Sequence, residues 1–164
     1  MDTIFFFGID GEYGYLSNWF PCNFELEFHD KKYEFKNVEQ GMMASKAILF
    51  KDEETFKKIL NTSNPKSVKA LGRKVKNFNE KVWDKYKKTI VKTVVMSKFK
   101  YNPDLLRKLI ATGEKYLAED SPYDKTWGIG TKSKKLKDTK KWPGQNLLGI
   151  ILMEVRKEFT NQKM

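Results

Sequence analysis

The sequence predicts a helix-rich α+β fold: a single domain over residues 1–164 with a small antiparallel sheet. Three observations lead there. Apolar residues recur at helical spacing in most segments from Val38 to Phe159. Strand-like alternation is confined to short runs, above all FELEF (24–28) and KYEF (32–35) around the turn HDKK. No internal repeat and no linker divides the chain, and 164 residues can bury roughly 70% of the unfolded surface in one domain.

Taken in order, Ile4 to Phe7 is a short apolar run ended by Gly8, which reads as a buried strand feeding a glycine-rich turn. The hairpin of FELEF and KYEF follows, and it delivers the chain into a helix capped by Asn37, with Gln40 three residues on as in a capping box. Residues 52–60, DEETFKKIL, carry acids first and lysines later, as a helix dipole favours. Asn64-Pro65 opens a short helix reaching about Gly72. From Asn79 a long helix runs to Asn102, with Val82, Trp83, Tyr86, Ile90, Val94 and Phe99 read as core. Pro103 starts another helix carrying Leu105, Leu106, Leu109 and Ile110, closed at Gly113. Residues 116–130 switch to a short strand and a loop, and loops of this kind carry sites. The stretch 131–144 holds six lysines and one acid and reads as an exposed, mobile segment. A final apolar helix spans 146–159.

The helix from Asn37 to Phe50, NVEQGMMASKAILF, poses the chemical question. At about 100° per residue, Glu39 and Lys46 fall in the middle of a stripe formed by Val38, Met42, Met43, Leu49 and Phe50. No other charge occurs from Val38 to Phe50, although 32% of the chain is charged, so this helix should be buried nearly all round. Burying a charge costs several kcal/mol unless it is paired and hydrogen-bonded. On pattern alone, two readings stand level: a structural ion pair, and an active site holding a carboxylate and an amine of lowered pKa.

Composition narrows the chemistry. The single cysteine, Cys22, excludes an intramolecular disulfide and a cysteine-rich zinc site, and it agrees with a reducing compartment. The single histidine, His29, falls in a turn and supports neither a histidine metal cluster nor a Ser-His-Asp triad. No metal and no cofactor is implied, which leaves carboxylates, lysines and aromatics. The N-terminus lacks the basic region of a signal peptide and the longest apolar run, 147–153, is too short to span a bilayer, so a cytoplasmic protein without membrane contact is expected. A net charge of +11 raises the prospect of phosphorylated or polyanionic partners.

Seven short motifs occur in order along nearly the whole chain: SNW (17–19), VEQGMMASKA (38–47), LGR (71–73), MSKF (96–99), IATG (110–113), EDSPYDKTWGIG (119–130) and GQNLLGIILMEVR (144–156). Together they resemble the YbiA-like or NADAR family. The resemblance implies a hydrolase of N-glycosidic bonds in a ribosyl-nucleotide, with two substrate classes in view: ADP-ribosyl-guanine in nucleic acid, and phosphoribosylamino-pyrimidine intermediates of riboflavin synthesis. It places Glu39 and Lys46 in catalytic roles, the first stabilising an oxocarbenium-like transition state or activating water, the second attacking the opened sugar as a Schiff-base nucleophile. Asp124, just before WGIG, is assigned to ribose hydroxyls or proton transfer.

The same resemblance makes Ser17, Asn18 and Asn146 polar ligand contacts, Trp19 and Trp127 base-stacking candidates, and Arg73 and Lys98 candidates to hold phosphate. Gly128 and Gly130 would let backbone approach a phosphate. Gly41 stands where relatives often carry an aromatic ring, and the lysines of 131–144 would recruit a polyanionic substrate, possible nucleic acid among them. A monomer is expected. The competing reading is a non-catalytic NAD or ADP-ribose binding module, which would keep the pocket and lose the reactive pair.

Overall fold

A computed structural model describes residues 2–135 and 141–162, so Lys137 and Lys140 lie outside the described residues. The chain falls into two compact units, one of residues 18–103 and one of residues 1–17 with 104–164.

The unit of residues 18–103 is built around helix α1 (Val38–Leu49), preceded by the antiparallel hairpin of β2 (Phe24–Phe28) and β3 (Lys31–Phe35). His29 and Asp30 take left-handed backbone, φ 52° and 65°, which is the twist a two-residue hairpin turn requires. Lys31 and Lys32, expected in the turn, therefore belong to β3. Asn37 caps α1 by accepting from the Gln40 backbone N–H at 2.8 Å, while the Gln40 side chain accepts from the Lys36 N–H at 2.8 Å. Helices α2 (Glu53–Leu60), α3 (Pro65–Gly72) and α4 (Glu80–Tyr101) are capped in the same way by Asp52, Asn64 and Asn79.

Three of those helices pack on α1, and glycines set how closely two of them approach. A Cβ on Gly41 would stand 2.8 Å from Val94 of α4 and 3.3 Å from the Phe24 ring of β2. An aromatic side chain at this position would collide with the interior, so Gly41 is a packing residue here. A Cβ on Gly72 would meet the Met43 sulfur, which brings the end of α3 onto α1. The long helix α4 departs from expectation in its first half. Its buried face is Val91, Val94, Val95, Lys98 and Phe99, whereas Tyr86 is 42% exposed and Val82, Trp83 and Ile90 are half-buried. Apolar spacing alone could not distinguish a buried turn of helix from one that extends past its neighbours.

In the other unit, β1 (Thr3–Phe6) pairs in parallel with β4 (Tyr116–Glu119), Ile4 opposite Leu117. The α+β class and the antiparallel pair are as expected, and this parallel pair adds to them. A parallel pair needs a long connection, and no local pattern announces its partner. Helix α5 (Pro103–Ala111) buries only Leu109 fully, while Leu105, Leu106 and Ile110 are half-buried. Helix α6 (Leu147–Gln162) lies on β4 through Gly149, where a Cβ would meet the Leu117 carbonyl.

Candidate active site

The α1 stripe is buried as its composition requires. Glu39 is 5% exposed, and its backbone N–H donates to the Asn18 carbonyl at 3.0 Å, which ties the SNW segment to the first turn of α1. The Asn18 side-chain oxygen is buried with no hydrogen-bond partner among the described residues. Buried amide oxygens are rarely left so, which makes this oxygen, in the segment tied to the first turn of α1, a candidate acceptor for a substrate donor.

Lys46, two turns further along α1, is half-buried. Its ammonium donates to the Gly72 carbonyl at 2.8 Å, lies 4.6 Å from the centre of the Phe78 ring and 5.7 Å from that of Trp83. Burial lowers its pKa below the ordinary lysine value; the Glu39 charge opposes the shift and the nearby Arg73 guanidinium adds to it. The amine is thus more readily neutral than a surface lysine, which is the condition for nucleophilic attack. Phe78 and Trp83 were not recognisable as site residues in the sequence: Trp83 fits the apolar spacing of α4, and Phe78 sits in a loop and is 45% exposed.

Trp19, next in sequence to Asn18, is 39% exposed, and Arg73 is exposed at the C-terminal cap of α3. Lys98 is different. It is 1% exposed, its ammonium 5.8 Å from the Phe20 ring centre and 5.3 Å from that of Phe99, and burial pulls its pKa down to about 8, with the Cys22 charge opposing. The Cys22 thiol is pushed up by its own burial and drawn back by Lys98.

In the other unit the predicted residues form a braced loop. Asp124 Oδ1 accepts from the backbone N–H groups of Thr126 and Trp127, at 2.9 and 2.8 Å, so this carboxylate shapes the turn that presents the half-buried Trp127. A Cβ on Gly128 would stand 2.9 Å from Ser121 and 3.0 Å from the Asp124 carbonyl, so close packing accounts for that glycine; Gly130 takes φ +76°. Asn146 is fully buried at φ 53°, its side chain accepting from the Glu119 N–H and donating to the Leu117 carbonyl, both at 3.0 Å. Its amide latches the start of α6 to β4. Ser17 is buried and closes the short turn Gly14–Leu16, its N–H donating to the Gly14 carbonyl at 3.0 Å.

Among the described residues no cluster of three or more His, Cys, Asp or Glu side chains could hold a metal. None of their helices is long and apolar enough to cross a membrane.

A buried carboxylate and an amine of lowered pKa thus share one face of α1, and the comparisons give the class of protein. The NADAR domain family model matches residues 5–160. The chain belongs to the NADAR family. It is 46% identical over 146 residues to N-glycosidase R617 of Acanthamoeba polyphaga mimivirus, covering 87% of this chain and 86% of that protein. It is 28% identical over 155 residues to riboflavin biosynthesis protein VVA0006 of Vibrio vulnificus, covering 94% of this chain and 38% of that one. The NMR structure of the Escherichia coli protein YbiA superposes with a TM-score of 0.79 at 26% identity, covering 99% of this chain and 87% of that one. On these relationships the chain is an enzyme, a hydrolase of the glycosidase class.

Proposed function

We propose that this enzyme cleaves the N-glycosidic bond of a ribosyl-nucleotide, with Lys46 as the nucleophile and Glu39 as the acid–base partner. The observation that carries the reading is the Lys46 amine, desolvated between Gly72, Phe78 and Trp83 on the same helix face as the buried Glu39. Neutral Lys46 adds to the anomeric carbon as the base leaves with the bonding pair, and Glu39 passes the proton released by the amine to the departing base. The glycosylamine opens to an iminium, water adds to its carbon, and the C–N bond breaks to release the ribose aldehyde and the free amine. Asn18 supplies an acceptor for a substrate hydroxyl or amino group, Trp19 a ring for the base, and Arg73 a phosphate contact.

Two substrates fit the reading: ADP-ribosyl-guanine in nucleic acid, and a phosphoribosylamino-pyrimidine of riboflavin synthesis, the latter supported by the relative of that name. The lysines of residues 131–144 would favour the first. The experiment is mass spectrometry of products after offering NAD, phosphoribosylamino-pyrimidine and an ADP-ribosyl-guanine oligonucleotide side by side. Release of the free base or of ribose from one of them supports the reading. Unchanged ligand, bound but intact, would make the protein a binding module.

A further inference from the structure

Outside its own helix, the Lys46 ammonium meets one stretch of chain. The Gly72 carbonyl accepts its hydrogen bond, the Arg73 charge lowers its pKa, and the centres of the Phe78 and Trp83 rings lie 4.6 and 5.7 Å from its nitrogen. Within that stretch residues 73–79, between α3 and α4, form neither helix nor strand. Phe78 belongs to this loop and is 45% exposed, yet its ring sits over the amine. An exposed ring on a loop keeps such a place only where the loop itself is held down.

Asp52 supplies the hold. It is 5% exposed, and its two carboxylate oxygens serve different segments: Oδ1 accepts from the Thr55 N–H at 3.1 Å, which caps α2, and Oδ2 accepts from the Lys76 N–H at 2.9 Å. A cap alone needs one oxygen. Helices α1, α3 and α4 are capped by asparagines, whose amide carries a single acceptor oxygen, and an aspartate stands at the cap that also takes a donor from the loop. Two further contacts follow directly. Asn77 takes left-handed backbone, φ 62°, and its amide donates to the Phe50 carbonyl at 3.4 Å, while the Phe78 ring meets that of Phe50 edge-on with centres 5.3 Å apart. Phe50 is the C-cap of α1, four residues beyond Lys46, so the loop is fastened where α1 ends and α2 begins.

We propose that Asp52 is a positioning residue for the Lys46 amine: by holding the Lys76 N–H, it sets the loop of residues 73–79 so that Phe78 closes over that amine. The charges that shift Lys46 are those of Glu39 and Arg73, so the loss of the Asp52 charge reaches the amine through the loop. How the amine is held does not depend on the bond the enzyme cleaves. Only the effect on turnover rests on the proposed function.

The test is the pH dependence of Lys46 labelling by an amine-directed reagent, read by peptide mass spectrometry on the full chain without substrate. Asp52→Asn and Asp52→Ser each keep a side chain that caps α2 and give up the second carboxylate oxygen. Burial is the main cause of the lowered Lys46 pKa, so a displaced Phe78 leaves the amine wetter and moves the labelling midpoint to higher pH. The same upward shift is expected in both Asp52 variants and in Phe78→Ala, and Asp52→Asn combined with Phe78→Ala should shift no further than Phe78→Ala alone. If Asp52 is a helix cap and nothing more, the urea midpoint falls while the labelling midpoint stays at its wild-type value; that result overturns the proposal, and so do shifts that add in the double variant. Turnover of a ribosyl-nucleotide, measured on the same proteins, should fall about tenfold or more in the Asp52 variants through misplacement of the amine. Should wild type hydrolyse none of the substrates offered while the labelling shifts appear, the proposed function falls and the positioning role stands.

Discussion

The Lys46 ammonium is anchored to the Gly72 carbonyl at 2.8 Å, and Gly72 can be there only because it lacks a side chain to collide with Met43 of α1. Close helix packing and the position of the reactive amine are therefore one feature. Gly72→Ala should cost about 1 to 3 kcal/mol, the range for overpacking a well-filled interior, and should lower activity by more than its folded fraction explains. Urea unfolding alongside kcat/KM separates the two effects.

The charges around Lys46 predict opposite shifts. Glu39 raises the amine's pKa and Arg73 lowers it, so Glu39→Gln should move it further down and Arg73→Gln should move it up. The readout is the pH dependence of Lys46 labelling by an amine-directed reagent, which requires no turnover: the acid limb moves to lower pH in the first variant and to higher pH in the second. Glu39→Gln should also reduce turnover at least a hundredfold while leaving the chain folded. Loss of the fold in that variant would return Glu39 and Lys46 to a structural ion pair.

Lys98 predicts a stability that rises with pH. Its pKa is about 8 when folded against the ordinary lysine value when unfolded, so the unfolded chain binds the extra proton between about 8 and 10.5. Below that window the buried charge costs about 3 kcal/mol; within it the cost falls away as pH rises. Lys98→Met should therefore be the more stable protein at pH 7, and the gap should close towards pH 10.5. Urea midpoints of both proteins at pH 7, 9 and 10.5 check this, and a variant less stable at pH 7 would contradict it.

Asn146 should behave as a latch. Both ends of its amide bond to the backbone of Leu117 and Glu119. Asn146→Ala leaves two buried backbone groups unmatched and keeps a non-glycine residue at φ 53°, so a loss of about 2 to 4 kcal/mol is expected. Asn146→Asp should be milder, because its carboxylate still accepts from Glu119. Thermal unfolding of the two variants ranks them.

Much of this was legible because it is local. Asn37, Asp52, Asn64 and Asn79 each cap a helix from a position the sequence marks by residue type and spacing. The isolation of Glu39 and Lys46 in an apolar helix face likewise follows from spacing along one segment. What surrounds Lys46 was not legible, since Gly72 ends α3, Phe78 lies in the loop after it and Trp83 is on α4, and their approach depends on packing. The burial of Lys98 left a signal that could have been used: Val91, Val94, Val95 and Lys98 share one side of α4, and a lysine in that company goes inside with it. The parallel pairing of β1 with β4 left none, because each strand is a four-residue run whose partner lies far away along the chain, across all the helices from α1 to α5.

On the proposed mechanism, Lys46 forms a covalent bond with the substrate sugar. The direct measurement is borohydride reduction of the enzyme during turnover of whichever ribosyl-nucleotide it hydrolyses, followed by peptide mass spectrometry. A reduced sugar adduct on Lys46, absent from Lys46→Met, is the predicted result. Unmodified Lys46 in an enzyme that hydrolyses its substrate at the normal rate would contradict it and leave the amine a purely electrostatic role.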